Sequence, residues 1–104
     1  MNESFNKLTD AEAERLAMLA EEAGEIVQLV GKILRHGYDS YHPDDPEMTT
    51  NKRLLCGEIE DFYAVCYGMR AAGDTPKHVP TPIAVDTKWQ RKLKYSHHQG
   101  ESND

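Results

Sequence analysis

The sequence predicts an all-α fold, a helical bundle of two long helices plus a short third, completed by oligomerisation. Apolar residues recur at spacings of three and four along two long stretches, which is typical of amphipathic helices. Segments that contain proline separate these stretches. Hydrophobic residues make up 38% of the 104 residues, and this leaves a thin core for a lone chain that oligomerisation would extend.

The first long helix is expected from Thr9 to about His36. Thr9 is a plausible N-cap, and Glu12 three positions later completes a capping box. Gly37 is the natural end of the helix. The apolar side of this helix comprises Leu16, Leu19, Ala23, Ile26, Val27, Val30 and Leu34.

Residues 38–50 are expected to form a connecting loop, because they contain Pro43, Pro46 and three aspartates. The loop is long for a connection between two packed helices. Loops of this length are more often functional than not, although simple spacing between the two helices is the alternative.

A second helix is expected over about residues 51–72, with Thr49, Thr50 or Asn51 as its cap and Gly73 as its end. A short third helix should lie between Pro82 and Tyr95. Residues 1–95 would then form one domain, and residues 96–104 a disordered C-terminal tail.

The formal net charge of −6 argues against binding to nucleic acids or anionic membranes, since phosphate groups require a basic surface. No apolar run reaches the roughly 20 residues that a membrane span needs, and the first residues do not resemble a signal peptide. We therefore expect a cytoplasmic protein. Cys56 and Cys66, ten positions apart in one predicted helix, are expected to be reduced and mostly buried thiols.

Two acidic residues interrupt the apolar side of the second helix. Glu58 and Asp61 are separated by three positions and share a face with Leu54, Val65 and Met69. A buried ionised carboxylate costs several kcal/mol unless it is paired or coordinates a metal ion. This pattern favours a metal site.

Three glutamates of the first helix, Glu21, Glu22 and Glu25, span an arc of about 100° roughly opposite the main apolar stripe. They could form a solvated acidic face or complete a metal site with Glu58 and Asp61. Five carboxylates offer the hard oxygen ligands that Mg²⁺ or Mn²⁺ prefers. A di-iron site would need Glu-x-x-His pairs, which the sequence lacks.

These acidic residues resemble the signature of the MazG-like all-α nucleoside triphosphate pyrophosphohydrolases, in which E-E-x-x-E on one helix precedes E-x-x-D on the next. Here the signature reads as residues 21–25 and 58–61. The resemblance implies a helical bundle completed by a second subunit as a homodimer or homotetramer. It also implies magnesium as cofactor and hydrolysis of an NTP or dNTP to the monophosphate and pyrophosphate.

On this interpretation Glu22, Glu25, Glu58 and Asp61 are the metal ligands, and Glu21 is the base or a ligand of a second metal ion. A triphosphate brings up to about four negative charges to an acidic site, so cations must lie between the carboxylates and the phosphate oxygens. Carboxylate oxygens more than about 10 Å apart would exclude a shared ion.

A basic cluster in the third helix is expected to contact the outer phosphates: Lys88, Arg91 and Lys92. Trp89 and Tyr95 could stack on a nucleobase, although aromatic residues such as Trp89 more often anchor a short helix. Lys32 and Lys52 could contact phosphate or simply pair with the nearby acids.

A second hypothesis is a helical adaptor without catalytic activity, which buries the same apolar stripes against a partner chain. The two hypotheses differ at Glu58 and Asp61. Replacement of both by leucine should stabilise an adaptor, whereas the enzyme should lose magnesium binding and turnover.

Overall fold

A computed structural model describes residues 5–76 and 80–99. It contains helix α1 (Asp10–His36), helix α2 (Asn51–Ala72) and helix α3 (Pro82–Leu93), and no strand occurs within these ranges. The all-α prediction is confirmed, and the predicted ends of the long helices agree closely with the observed ones.

Both ends of α1 follow from local hydrogen bonding. The N–H of Glu12 donates to Thr9 Oγ1 at 3.1 Å, and the N–H of Thr9 donates to Glu12 Oε1 at 2.8 Å, so the predicted capping box is present. At the other end Gly37 has φ 89° and ψ 168°, a combination that essentially only glycine adopts. Its N–H donates to the carbonyl of Ile33 at 2.7 Å.

Helices α1 and α2 form an antiparallel hairpin. The start of α1 meets the end of α2, where Arg15 pairs with Asp74. At the opposite end the side chain of Asn51, which is completely buried, donates to the carbonyl of Gly37 at 3.0 Å. The interface between these two contacts runs the length of α2.

The contact between Arg15 and Asp74 depends on how α2 ends. Gly73 adopts the left-handed conformation, and the N–H of Asp74 then donates to the carbonyl of Met69 at 2.9 Å. This turn places the Asp74 carboxylate against Arg15, which binds it through both Nε and Nη2. The hydrogen bonds from Arg15 lower the pKa of Asp74.

The loop of residues 38–50 is tied to α2 and to itself. The N–H groups of Asn51 and Lys52 donate to the carbonyls of Ser40 and Tyr38, each at 2.9 Å. The carboxylate of Asp45 accepts from the N–H groups of Glu47 and Thr49, also at 2.9 Å. The connection therefore has a defined conformation that fixes where α2 begins.

Helix α3 stands apart from the hairpin. Thr81 caps it and Pro82 occupies its first turn. It does not pack against α1 or α2, and none of its residues is buried. Trp89 is 49% exposed, so the interpretation of this residue as an anchor to the rest of the chain is wrong. Of the predicted C-terminal tail, residues 100–104 lie outside the described residues.

The two cysteines are free, as expected, but their burial differs from the prediction. Cys66 is half-buried and Cys56 is exposed. Cys56 lies on the side of α2 that faces away from α1, and its thiol contacts Glu60 one turn later.

Within the part of the chain that the structure describes, no helix is both long and apolar enough to cross a membrane.

The core of the hairpin yields a stability prediction. Met69 is 5% exposed, and Met69→Ala should lower the free energy of unfolding by about 2–5 kcal/mol, because it removes buried surface and leaves a cavity. Urea unfolding at matched protein concentration measures the change. Met48→Ala is the control, since Met48 is 57% exposed and its truncation should have little effect. Equal losses in the two variants would contradict the assignment of Met69 to the core.

Candidate metal centre

Carboxylates from both long helices converge at the middle of the hairpin. Glu22 of α1 and Glu58 and Asp61 of α2 each place one oxygen within 4.8 Å of the other two. Glu22 and Glu58 are half-buried, whereas Asp61 is exposed. The oxygens are much closer than the roughly 10 Å at which a shared ion would be excluded.

The rotation of α1 about its axis produces this convergence. Leu29 is the buried apolar residue of α1, and Glu22 lies seven positions earlier on nearly the same face. The acidic residue therefore points toward α2. Val27 and Leu34, which belong to the predicted apolar stripe, are instead 70% and 82% exposed. The simple interpretation of Glu22 as part of a solvated face is wrong.

Glu25 lies beside this group, although its oxygens are not among those that converge. It is half-buried, and its carboxyl adds to the upward pKa shifts of both Glu22 and Glu58. Glu21 is exposed and does not belong to the converging set. The structure thus brings together three of the four residues predicted as metal ligands, Glu22, Glu58 and Asp61, with Glu25 beside them, and leaves the predicted base at the surface.

Two oxygens in the cluster lack a hydrogen-bond donor. Oε2 of Glu22 and Oε2 of Glu58 are buried and have no hydrogen-bond partner within residues 5–76 and 80–99. Most buried polar atoms in proteins have a partner, because an unsatisfied one loses its hydration without compensation. Ionised carboxylate oxygens only accept hydrogen bonds, so a bound cation could take the place of the missing donor.

The same environment shifts the protonation of two carboxyls. Burial raises the pKa of Glu22 above its ordinary value, and the negative charges of Glu25 and Asp61 raise it further. Burial also raises the pKa of Glu58, together with its contact with Glu25 and the charge of Asp61. Both shifts mark a site that disfavours additional negative charge and would favour a positive one.

The donor set fits a hard divalent cation. Magnesium takes oxygen ligands at about 2.0–2.1 Å, so two ligands on opposite sides of the ion are about 4.2 Å apart. The three converging oxygens lie within 4.8 Å of one another, which is close to this separation. The described residues of the cluster include no thiolate or imidazole that would favour zinc or iron.

A cleft of about 460 Å³ adjoins the acidic cluster. Glu25 and Glu58 contribute one end of its lining. The sequence interpretation considered Lys32 only as a possible phosphate contact or partner of the acids and missed Arg35, although both follow Glu25 along one side of α1. The complete lining is Glu25, Gln28, Leu29, Lys32, Arg35, Leu54 and Glu58.

The basic residues predicted to bind phosphate lie elsewhere. Lys88, Arg91 and Lys92 line a shallow depression on α3 together with Tyr95, and α3 does not pack against the hairpin. Within a single chain the structure does not bring them to the acidic cluster. Their predicted contacts with phosphate, and stacking of a base on Trp89 or Tyr95, stay predictions.

The comparisons with known proteins find no family model, curated protein or solved structure that matches the chain. The features that bear on function are therefore the acidic cluster, the cleft beside it and the resemblance of residues 21–25 and 58–61 to the MazG-like signature.

The raised pKa of Glu58 predicts how the metal-free protein responds to pH. The folded state binds more protons than the unfolded state between the ordinary value of 4.5 and the higher folded pKa. The contribution of Glu58 to stability is therefore fully present below 4.5 and is lost as the pH rises through the folded pKa. When a chelator keeps the protein free of metal, Glu58→Gln should raise the melting temperature at neutral pH. The melting temperature of this variant should also fall less steeply with rising pH than that of the wild type.

Thermal unfolding followed by circular dichroism between about pH 4.5 and pH 7 measures this effect. Asp45 and Asp74 have pKa values lowered from 3.8, so their contributions change at lower pH and leave this window undisturbed. Glu60→Gln is the matched control, because Glu60 is an exposed carboxylate on the same helix. If the Glu58 and Glu60 variants keep the same slope as the wild type, the electrostatic account of the cluster is wrong.

Proposed function

We propose that the protein is a magnesium-dependent nucleoside triphosphate pyrophosphohydrolase that converts an NTP or dNTP to the monophosphate and pyrophosphate. The observation that carries the proposal is the convergence of Glu22, Glu58 and Asp61 within 4.8 Å, together with the unpartnered buried oxygens of Glu22 and Glu58. An arrangement of this kind is expensive without a cation, and a cation is what a triphosphate needs in order to approach carboxylates.

Glu22, Glu25, Glu58 and Asp61 would hold Mg²⁺, with Mn²⁺ as a substitute. When bound, the ion supplies Lewis-acid polarisation of the phosphoryl oxygens and neutralises part of their charge. The four carboxylates fix the position of the substrate relative to α1 and α2, because their side chains come from two rigid helices.

Glu21 is the residue that we assign as the acceptor of the proton from the attacking water. It is exposed, and it lies next to Glu22 in the sequence but about 100° away around the helix. A water that attacks phosphorus must lose a proton as the new P–O bond forms and the phosphoanhydride P–O bond breaks. A solvated carboxylate at the edge of the site can take that proton and release it to bulk water.

We further propose that the active form is a homodimer or homotetramer in the cytoplasm. The support is the amount of apolar surface that one chain leaves uncovered along α1 and α2. The large exposed apolar side chains of these helices are Leu16, Met18, Val27, Val30, Leu34, Leu54, Ile59, Tyr63 and Tyr67. Val27, Val30 and Leu34 follow one another at spacings of three and four and so share one face of α1, and an exposed apolar face is typical of protein–protein contacts.

The same exposed surface favours a second candidate function, a helical adaptor that binds a partner chain and has no catalytic activity. The adaptor hypothesis explains the uncovered apolar residues but gives no reason for four carboxylates at the helix interface. Leucine at both Glu58 and Asp61 should stabilise an adaptor and leave partner binding intact.

The first test of the enzyme is a panel of (d)NTPs and modified nucleotides incubated at matched magnesium concentrations, with pyrophosphate release as the readout. At least one nucleotide should yield pyrophosphate and the corresponding monophosphate, and chelation of the metal should abolish the reaction. Absence of pyrophosphate release from every nucleotide would exclude the proposed activity.

Substitution of one ligand tests the site itself. Glu58→Gln keeps the size of the side chain but removes a charged ligand, so turnover should fall at least roughly 100-fold and Mn²⁺ affinity at least roughly 10-fold. Pyrophosphate release and calorimetric titration with Mn²⁺ measure the two effects. Glu60→Gln on the same helix should retain wild-type values for both, and equal behaviour of the two variants would rule out Glu58 as a ligand.

Substitution in the apolar stripe tests the assembly. Val27→Lys places a charge where an apolar contact is proposed, and the molar mass in sedimentation equilibrium should fall to that of a monomer. Met48→Lys, in the loop, is the matched control and should keep the mass of the wild type. A monomeric wild-type protein would refute the proposed assembly.

A further inference from the structure

We infer that the cleft between α1 and α2 binds the phosphate chain of the substrate through Lys32 and Arg35. The inference rests on the proposed function and assigns the phosphate contacts to α1 rather than to α3.

The spacing along α1 places charges of both signs on one side of the helix. Glu25, Lys32 and Arg35 are separated by seven and three positions, so Lys32 follows Glu25 by about two turns on that side and Arg35 follows Lys32 by about one. A rise of about 1.5 Å per residue puts the Cα of Lys32 about 10 Å from that of Glu25, and the Cα of Arg35 about 15 Å away. Leu54 and Glu58 of α2 form the opposite wall of the same cleft.

Within residues 5–76 and 80–99, the two cations have no carboxylate partner. In these ranges, acidic side chains lie within 4.0 Å of a basic side chain at Arg15 with Asp74 and at His42 with Asp44. The helical neighbours of Lys32 at three and four positions on either side are Gln28, Leu29, Arg35 and His36, none of which is acidic. Lys32 therefore does not neutralise the glutamates, and its charge is available to an anion in the cleft.

The dimensions of the cleft suit a phosphate chain. Its volume of about 460 Å³ falls within the range of about 300–1,000 Å³ that is usual for small-molecule sites. A guanidinium group can bind a phosphate through two parallel hydrogen bonds, and an ammonium group contributes a compact positive charge. The carboxylates at one end would meet the cation-bridged phosphates, while Lys32 and Arg35 would meet the others.

The position of α3 also favours this assignment. Lys88, Arg91 and Lys92 belong to a helix that does not pack against the hairpin, whereas Lys32 and Arg35 line the cleft that Glu25 and Glu58 also line. The α1 cations Lys32 and Arg35 thus share a cleft with two of the carboxylates, Glu25 and Glu58.

The experiment compares Lys32→Gln and Arg35→Gln with the wild type. Each should raise KM for the accepted nucleotide, and should weaken calorimetric binding of inorganic pyrophosphate with magnesium, by roughly 10- to 100-fold, as expected for the loss of a charge-assisted hydrogen bond. Mn²⁺ affinity without nucleotide should change less than about twofold, because neither residue is a metal ligand. Lys32→Arg should restore most of the pyrophosphate affinity.

Arg53→Gln is the matched control, since Arg53 is exposed on α2 and does not line the cleft. It should retain wild-type pyrophosphate affinity. Circular dichroism and thermal unfolding check that each variant is folded, and Lys32→Arg provides a second variant if Lys32→Gln unfolds.

Two outcomes would overturn the inference. One is that the wild type is active and both Lys32→Gln and Arg35→Gln keep its KM and pyrophosphate affinity. This outcome would refute the phosphate contacts but not the proposed function. The other is weakened pyrophosphate binding in Lys92→Gln but not in the α1 variants, which would assign the phosphate contacts to α3. If the wild type hydrolyses no nucleotide, the proposed function fails. In that case, loss of pyrophosphate binding in the α1 variants would still support the cleft as an anion site.

Discussion

Repulsion between carboxylates in a partly desolvated helix interface is the constraint on which the structure depends. Glu22 and Glu58 each bury one oxygen without a hydrogen-bond donor among the described residues, and Glu25 and Asp61 add further negative charge beside them. Apolar side chains at these positions would pack at lower cost. When a sequence keeps charged side chains where apolar ones would stabilise the fold, the position usually belongs to a functional site.

The rest of the hairpin compensates for its unfavourable middle. One end is held by Arg15 and Asp74, and the other by the buried side chain of Asn51 on the carbonyl of Gly37. Leu29 and Met69 are the buried apolar residues of α1 and α2. Contacts at both ends thus hold the two helices together against the repulsion between the carboxylates. A metal site at this interface would require such support for its ligands.

The hairpin also places negative charge at one end of the cleft and positive charge at the other. The carboxylates lie near the middle of α1, while Lys32 and Arg35 lie toward its C-terminal end, where the helix dipole favours cations. An anion in the cleft would thus meet carboxylates on one side and the positive charges of Lys32 and Arg35 on the other, and its approach to the carboxylates would require a cation between them. Most of the exposed apolar residues lie on other faces of the same two helices, so covering them with a second chain would leave the cleft accessible.

The ends of the helices could be predicted from the amino-acid sequence alone. The capping box of Thr9 and Glu12 and the glycines at 37 and 73 act through hydrogen bonds and φ angles within a few residues, so local chemistry is sufficient to predict them. For the start of α2 the sequence left Thr49, Thr50 and Asn51 as candidates, and the cap is Thr50. The sequence also predicted that Glu58 would be withdrawn from solvent, because it interrupts an apolar stripe, and this carboxylate is half-buried.

The face of α1 that meets α2 could not be predicted in this way. The rotation of a helix about its axis reflects the sum of contacts along its whole length, and no local pattern records it. That rotation buries part of Glu22, leaves Glu21 and Val27 exposed, and brings Arg35 into the cleft. The pairing of Arg15 with Asp74 joins residues 59 positions apart, so it exists only once the hairpin has closed.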